Sequence, residues 1–192
     1  MKNVYPHMIE CAAEAARVAG GVTSGQLSGP TPCGQWDTRT LVNHWVLYTS
    51  HGLEHRARRR PLTGELTDRD FAAEPDWAAR YAARLDRAVG AWSDPAVWEG
   101  EIDLGAGSMP AAGIAAMITK EMAVHGWDVA KATGQEIRVP DATGTLILGV
   151  VEEYAEIYRQ YEGFADPVEL SGPSTDFERA LALSGRDPRW MP

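Results

Sequence analysis

Apolar residues recur along this chain at intervals of three and four, the spacing of helices that each bury one face. Met8, Cys11, Ala12, Ala15, Val18, Ala19 and Val22 predict a first helix over about residues 8–22, ended by a turn-rich run from Gly20 to Gly34. Asp37 is placed to cap a second helix reaching about residue 59, with Trp36 positioned to staple onto Leu41. After Pro61 a polar loop leads to Trp77, Tyr81, Leu85, Ala88, Val89 and Trp92, a strong amphipathic stripe that predicts a third helix. Residues 98–104 alternate with period two and predict a short extended excursion that cannot build a sheet alone. Pro110 opens a fourth helix whose stripe is Ile114, Met117, Ile118, Val124 and Val129, and Gly134 stops it. A fifth helix is predicted over residues 141–161 and a short one over 176–183, with no internal repeat, heptad array or low-complexity block.

Long helices joined by polar connections predict an all-α bundle with one extended excursion between the third and fourth helices and extra helices at the C-terminal end. The 192 residues suit one domain over 1–192.

Composition narrows the function classes. Acidic residues outnumber basic ones 27 to 18, for a net charge of −9, which opposes a grip on nucleic-acid phosphates or anionic membranes. No apolar run approaches the roughly 20 residues that span a bilayer, and the N-terminus lacks the apolar core of a signal peptide, so a cytoplasmic location is expected. Cys11 and Cys33 are too few for a disulfide scaffold and are expected reduced.

The candidate chemistry lies in the fourth helix. Glu121 and His125 are four apart within an apolar stripe, so both side chains leave the same helix face about 6 Å apart in rise. A carboxylate on a buried face needs a cation, a hydrogen-bond network or a metal, and His44 on the second helix is the natural third member. The spacing alone leaves an ion pair, a core histidine and a metal pair all open. Asp128, three residues past His125, is placed either to orient the imidazole or to sit on the helix surface. Tyr48, one turn past His44, is placed to offer its hydroxyl to the site or to join the core.

His44, Tyr48, His51 and His55 share one face of an uninterrupted α-helix, and His51 and His55, beside Arg56, Arg58, Arg59 and Arg60, read as solvated helix-end groups. Cys33 follows Pro32 in a helix lead-in with no histidine base implied nearby, so no protein nucleophile is assigned. Gly105, Gly107 and Pro110 only begin like a nucleotide-binding glycine motif, and no βαβ unit surrounds them.

Three fragments carry a family resemblance: Thr31-Pro-Cys-Gly-Gln-Trp-Asp37 leading to Leu41-Val-Asn-His44; Glu121-Met-Ala-Val-His-Gly-Trp-Asp128 with Ala132-Thr-Gly134; and Ser184-Gly-Arg-Asp-Pro-Arg-Trp190. In order and spacing they resemble the actinobacterial proteins related to mycothiol-dependent maleylpyruvate isomerase, within the DinB-like superfamily. The resemblance implies a DinB-like four-helix bundle holding a divalent metal, usually zinc, on His44, Glu121 and His125. It further implies mycothiol as co-substrate, activated as a metal thiolate for S-transfer to, or isomerisation of, a small-molecule electrophile, in a pocket walled by Trp45 and Tyr48. The same site suits a metal-hydroxide hydrolase or lyase, or a non-catalytic bundle that binds metal or ligand. No nucleic-acid or membrane partner is expected, and a homodimer stays open.

Overall fold

The computed structural model describes residues 4–34, 36–105 and 107–192, so Gln35 in the Thr31–Asp37 fragment and Ala106 in the glycine run lie outside the described residues. Its long elements follow the apolar stripes. α1 (Val4–Gly20) buries Met8, Cys11, Ala15 and Val18, and packs between α5 (Trp77–Ala91) and α6 (Ala111–Ala132). Opposite α1, between the same two neighbours, runs a rod made of α2 (Thr38–Val46), a five-residue π turn (Leu47–His51) and α3 (Gly52–Ala57). These four rods form an all-α bundle. A short α4 (Gly64–Thr67) lies in the connection before α5.

Asp37 caps α2 as its residue type demands, its carboxylate accepting from the Thr40 N–H at 2.8 Å. The π turn then breaks the α phase. The Thr49 and Ser50 hydroxyls donate to the carbonyls four residues back, of Trp45 (2.6 Å) and Val46 (2.7 Å), and the Gly52 N–H reaches back five, to Leu47. One extra residue in the turn rotates everything after it. The face expected to carry His44, Tyr48, His51 and His55 instead carries His44, Tyr48, Gly52 and Arg56. His51 is turned into the bundle against Phe71, ring centroids 5.1 Å apart, and His55 donates from Nδ1 to the Pro61 carbonyl at 2.8 Å. The solvated helix-end reading therefore fails for His51.

The extended excursion is a hairpin. β1 (Glu101–Asp103) pairs antiparallel with β2 (Ser108–Pro110), register Ile102 to Met109, and Ile102 points into the core. The basic end of α3 anchors this segment: Arg56 donates to the Asp103 carbonyl, and Arg59 to those of Val97 and Glu99.

α6 is apolar on nearly every side, and Met122 through Ala130 are all buried. Such a helix needs cover all round. α7 (Asp141–Gln160) lies over its outer side, and α8 (Asp176–Leu183) packs on α7 and leads into the C-terminal segment. No described helix is long and apolar enough to cross a membrane.

Candidate metal centre

α2 meets α6 closely because residue 126 is glycine. A Cβ there would stand 3.4 Å from the Trp45 ring and 3.1 Å from Ile137, so a larger residue would push the helices apart. Trp45 lies across this contact, donating from Nε1 to the Met122 carbonyl at 3.3 Å. The approach sets His44 edge-on to His125, ring centroids 4.9 Å apart, and the donor atoms of His44, Glu121 and His125 all lie within 4.8 Å of one another.

The three groups differ in their partners. His125 Nε2 stands 3.0 Å from Glu121 Oε2, and its Nδ1 donates to Asp128 Oδ2 at 2.9 Å. Burial disfavours a charged His125, but Asp128, Cys33 and Glu121 outweigh it and hold the imidazole's pKa well above its usual value. Glu121 is likewise raised by burial and more strongly lowered by Lys120 and His125, so it stays a carboxylate. His44 is different: among the described residues neither ring nitrogen forms a hydrogen bond. Burial, and then the charge of His125, push its pKa down to about 4. A neutral imidazole with a free lone pair beside a carboxylate and a second histidine is a donor set that could hold a divalent ion with positions left open.

A layer of ion pairs supports the three. Asp128 is fully buried and receives Arg186 through two nitrogens, Nε to Oδ1 at 3.3 Å and Nη2 to Oδ2 at 3.1 Å. Burial would raise the carboxyl, but Arg186 and His125 bring it down to about 2. Asp128 thus fixes which His125 nitrogen carries its proton and leaves Nε2 facing Glu121 and His44. Arg186 reaches this depth through a tight turn at Gly185, with φ +83° and no room for a Cβ, which would come 2.6 Å from that of Ala165. On the other flank buried Lys120 pairs with Glu121 Oε1, its ammonium 4.2 Å above the Tyr158 ring.

Cys33 stands at the same place. Its thiol donates to Asp128 Oδ2 at 2.9 Å and lies 3.8 Å from His125 Nδ1, forming with them a second group of convergent donors. Burial and the Asp128 charge raise its pKa, which keeps it a thiol. A histidine is therefore near Cys33 after all, on an element 92 residues away in sequence.

Above the three donors opens a cleft of about 1210 Å³, walled by Trp36, Tyr48, Met117, Ile118 and Tyr158. Tyr48 stands on its rim with its ring 4.5 Å from His44. Trp45 does not line the cleft. Successive helix residues point about 100° apart, so Trp45 faces the core and packs at a tilt against Tyr81, ring centroids 4.9 Å apart. The aromatic wall is Trp36, whose ring lies 4.8 Å from His44 and 6.2 Å from His125. Sequence reasoning missed Lys120, Arg186, Cys33 and Trp36. The charged residues Lys120 and Asp128 inside an otherwise apolar helix were the legible signal for the first; Arg186 lies in the Ser184–Trp190 fragment that carries the resemblance, but no spacing ties it to Asp128.

Residues 9–130 match the family model of the mycothiol maleylpyruvate isomerase N-terminal domain. The chain belongs to this family. The matched stretch holds Cys33, His44, Lys120, Glu121, His125 and Asp128 and ends before Arg186. Two relatives, each bearing the name uncharacterized protein, come from Mycobacterium tuberculosis strains CDC 1551 / Oshkosh and ATCC 25618 / H37Rv. Each is 30% identical over 122 residues, which cover 62% of this chain and 62% of the relative's own length. No solved structure matches significantly.

Proposed function

We propose that this chain is a divalent-metal-dependent enzyme of the mycothiol-using S-transferase or isomerase type, with His44, Glu121 and His125 as metal ligands and zinc as the ion. The observation that carries this reading is the convergence of three donors, one of them a neutral imidazole without a hydrogen bond, at the floor of a large cleft. A divalent ion held there by His44, Glu121 and His125 would lower the pKa of a coordinated thiol and so supply a thiolate at neutral pH.

The protein's own groups favour that chemistry. Lys120 with Glu121 and Arg186 with Asp128 cancel in pairs, and His44 is neutral, so once a divalent ion displaced the Nε2 proton of His125 its charge would be uncompensated and would draw an anionic reactant such as a thiolate. Lys120 holds one Glu121 oxygen and leaves the other toward His125. Asp128 keeps the His125 Nδ1 proton in place, so that Nε2, which faces Glu121 at 3.0 Å, would be the ligand atom once deprotonated. At about 1210 Å³ the cleft exceeds the usual span of roughly 300–1,000 Å³ for one small ligand, which suits a bulky thiol and an electrophile held together. Tyr48 and Tyr158 line its wall, where a substrate would meet them.

Elemental analysis of purified protein is expected to give one ion per chain, lost in His44→Ala and His125→Ala; full occupancy in His125→Ala would overturn the ligand set. With cobalt in place of zinc, titration with mycothiol is expected to raise a sulfur-to-cobalt charge-transfer band. Metal binding without that band would instead favour the hydrolytic or non-catalytic reading.

A further inference from the structure

A second pocket, of about 270 Å³, lies between the π turn and α5, separate from the residues that line the cleft. Its rim is arginine: Arg69, Arg80, Arg84 and Arg87, with Glu74 as the carboxylate among the lining residues. Glu74 takes Arg69 and Arg80, Arg80 is also held by Asp76 at 2.9 Å, and Arg84 reaches Glu54 at 3.0 Å, while Arg87 forms no ion pair among the described residues and is the uncompensated charge. This is a local excess of positive charge on a protein of net charge −9.

The second observation is His51, which the π turn rotates into this pocket. The residue is only 5% exposed, and neither of its ring nitrogens forms a hydrogen bond among the described residues. Among the described residues every side-chain nitrogen or oxygen fully sealed from solvent has a partner, so the polar edge of this ring is not sealed in the core and opens to the pocket that His51 lines. A nearly enclosed ring whose polar edge has no protein partner is available to a ligand that enters the pocket. Phe71 and Trp77 complete an apolar floor, and the His51 ring lies against Phe71.

We propose that this pocket binds a small oxyanion, a phosphate or carboxylate group clamped by the Arg84 and Arg87 guanidinium groups with the His51 N–H donating from the floor. Planar guanidinium forks match both oxyanion shapes, and about 270 Å³ leaves room for a small group attached to the anion. The field of the site agrees: after burial, the charges of Arg84, Arg69 and Arg87 are among the causes that lower the His51 pKa to about 4. The neutral ring keeps one N–H to donate.

The test is to titrate the isotope-labelled full chain with inorganic phosphate and, separately, with benzoate, at an ionic strength held constant with chloride, following the His51 ring and Trp77 indole by NMR. Saturable shifts are expected at both groups, with affinity reduced about threefold in Arg87→Gln, the weight of one solvent-screened ion pair. Arg87 is exposed and unpaired, so that variant is expected to keep its fold. Saturation by phosphate alone identifies a tetrahedral ligand, by benzoate alone a planar one, and by both the shared oxyanion chemistry. No saturable shift with either, unchanged affinity in Arg87→Gln, or shifts centred on His44 instead would overturn the proposal.

Discussion

Arg186→Met tests whether the C-terminal segment supports the donor groups. The side chain is almost fully buried, its two-nitrogen grip on Asp128 spans 3.1–3.3 Å, and it also donates to the Ser184 carbonyl at 3.0 Å. Removing one partner of a buried ion pair costs about 3–5 kcal/mol, because the other charge is left without compensation. Asp128 keeps His125 at 2.9 Å and the Cys33 thiol at 2.9 Å, which places the expected loss near the lower end, about 3 kcal/mol. For a chain of this length that is a fall in melting temperature of about 6–12 °C, measurable by urea or thermal unfolding. The double variant Asp128→Leu/Arg186→Met removes both charges together and is expected to recover most of the loss, giving a coupling of about 1.5 kcal/mol or more in the double-mutant cycle. Metal affinity supplies a readout apart from stability. Asp128→Asn is expected to weaken zinc about 10–100-fold in a chelator competition, because His125 loses its charged orienting partner. If Arg186→Met unfolds within about 1 kcal/mol of the parent, or the two sites prove additive, the pair is not the support described.

Two further outcomes follow from the geometry. Gly185→Ala, at φ +83° with its new Cβ against Ala165, is expected to cost about 1–3 kcal/mol and to weaken zinc as Arg186 is displaced; equal stability by urea unfolding would refute the close fit. His51 binds a proton at 6.5 when unfolded but only at about 4 when folded, so the unfolded state holds more protons between those values and stability must fall as pH drops through that window. His51→Phe is expected to remove up to about 3 kcal/mol of that fall, read from urea midpoints at neutral pH and at the acid end of the window; an equal fall in variant and parent would refute it.

Much of the fold was legible along the chain because each long helix hides one face and shows the other. The stripe of α5, the Asp37 cap and the stop at Gly134 are local facts, and the structure carries all three. Glu121 and His125 were legible for the same reason, since four residues return a helix to one face. The phase of the α2–α3 rod was not. A single residue inserted by the π turn, where the Thr49 and Ser50 hydroxyls bond back to the helix carbonyls, sends His51 and His55 off the face that the α repeat assigns them. Trp45 was misjudged because pattern marks a residue as apolar without saying which apolar surface it meets.

The sequence by itself determined an all-α chain, the order of its elements and the Glu121–His125 pair, because these depend on spacing within one helix. Only the tertiary structure decided that His44 meets them across Gly126, that Cys33 and Arg186 converge on Asp128, and that Lys120 is buried beside Glu121. Those contacts join residues up to 95 positions apart, and nothing in local periodicity specifies which distant charge will neutralise a buried one. The need for a partner is written in the burial of α6; its identity comes from packing.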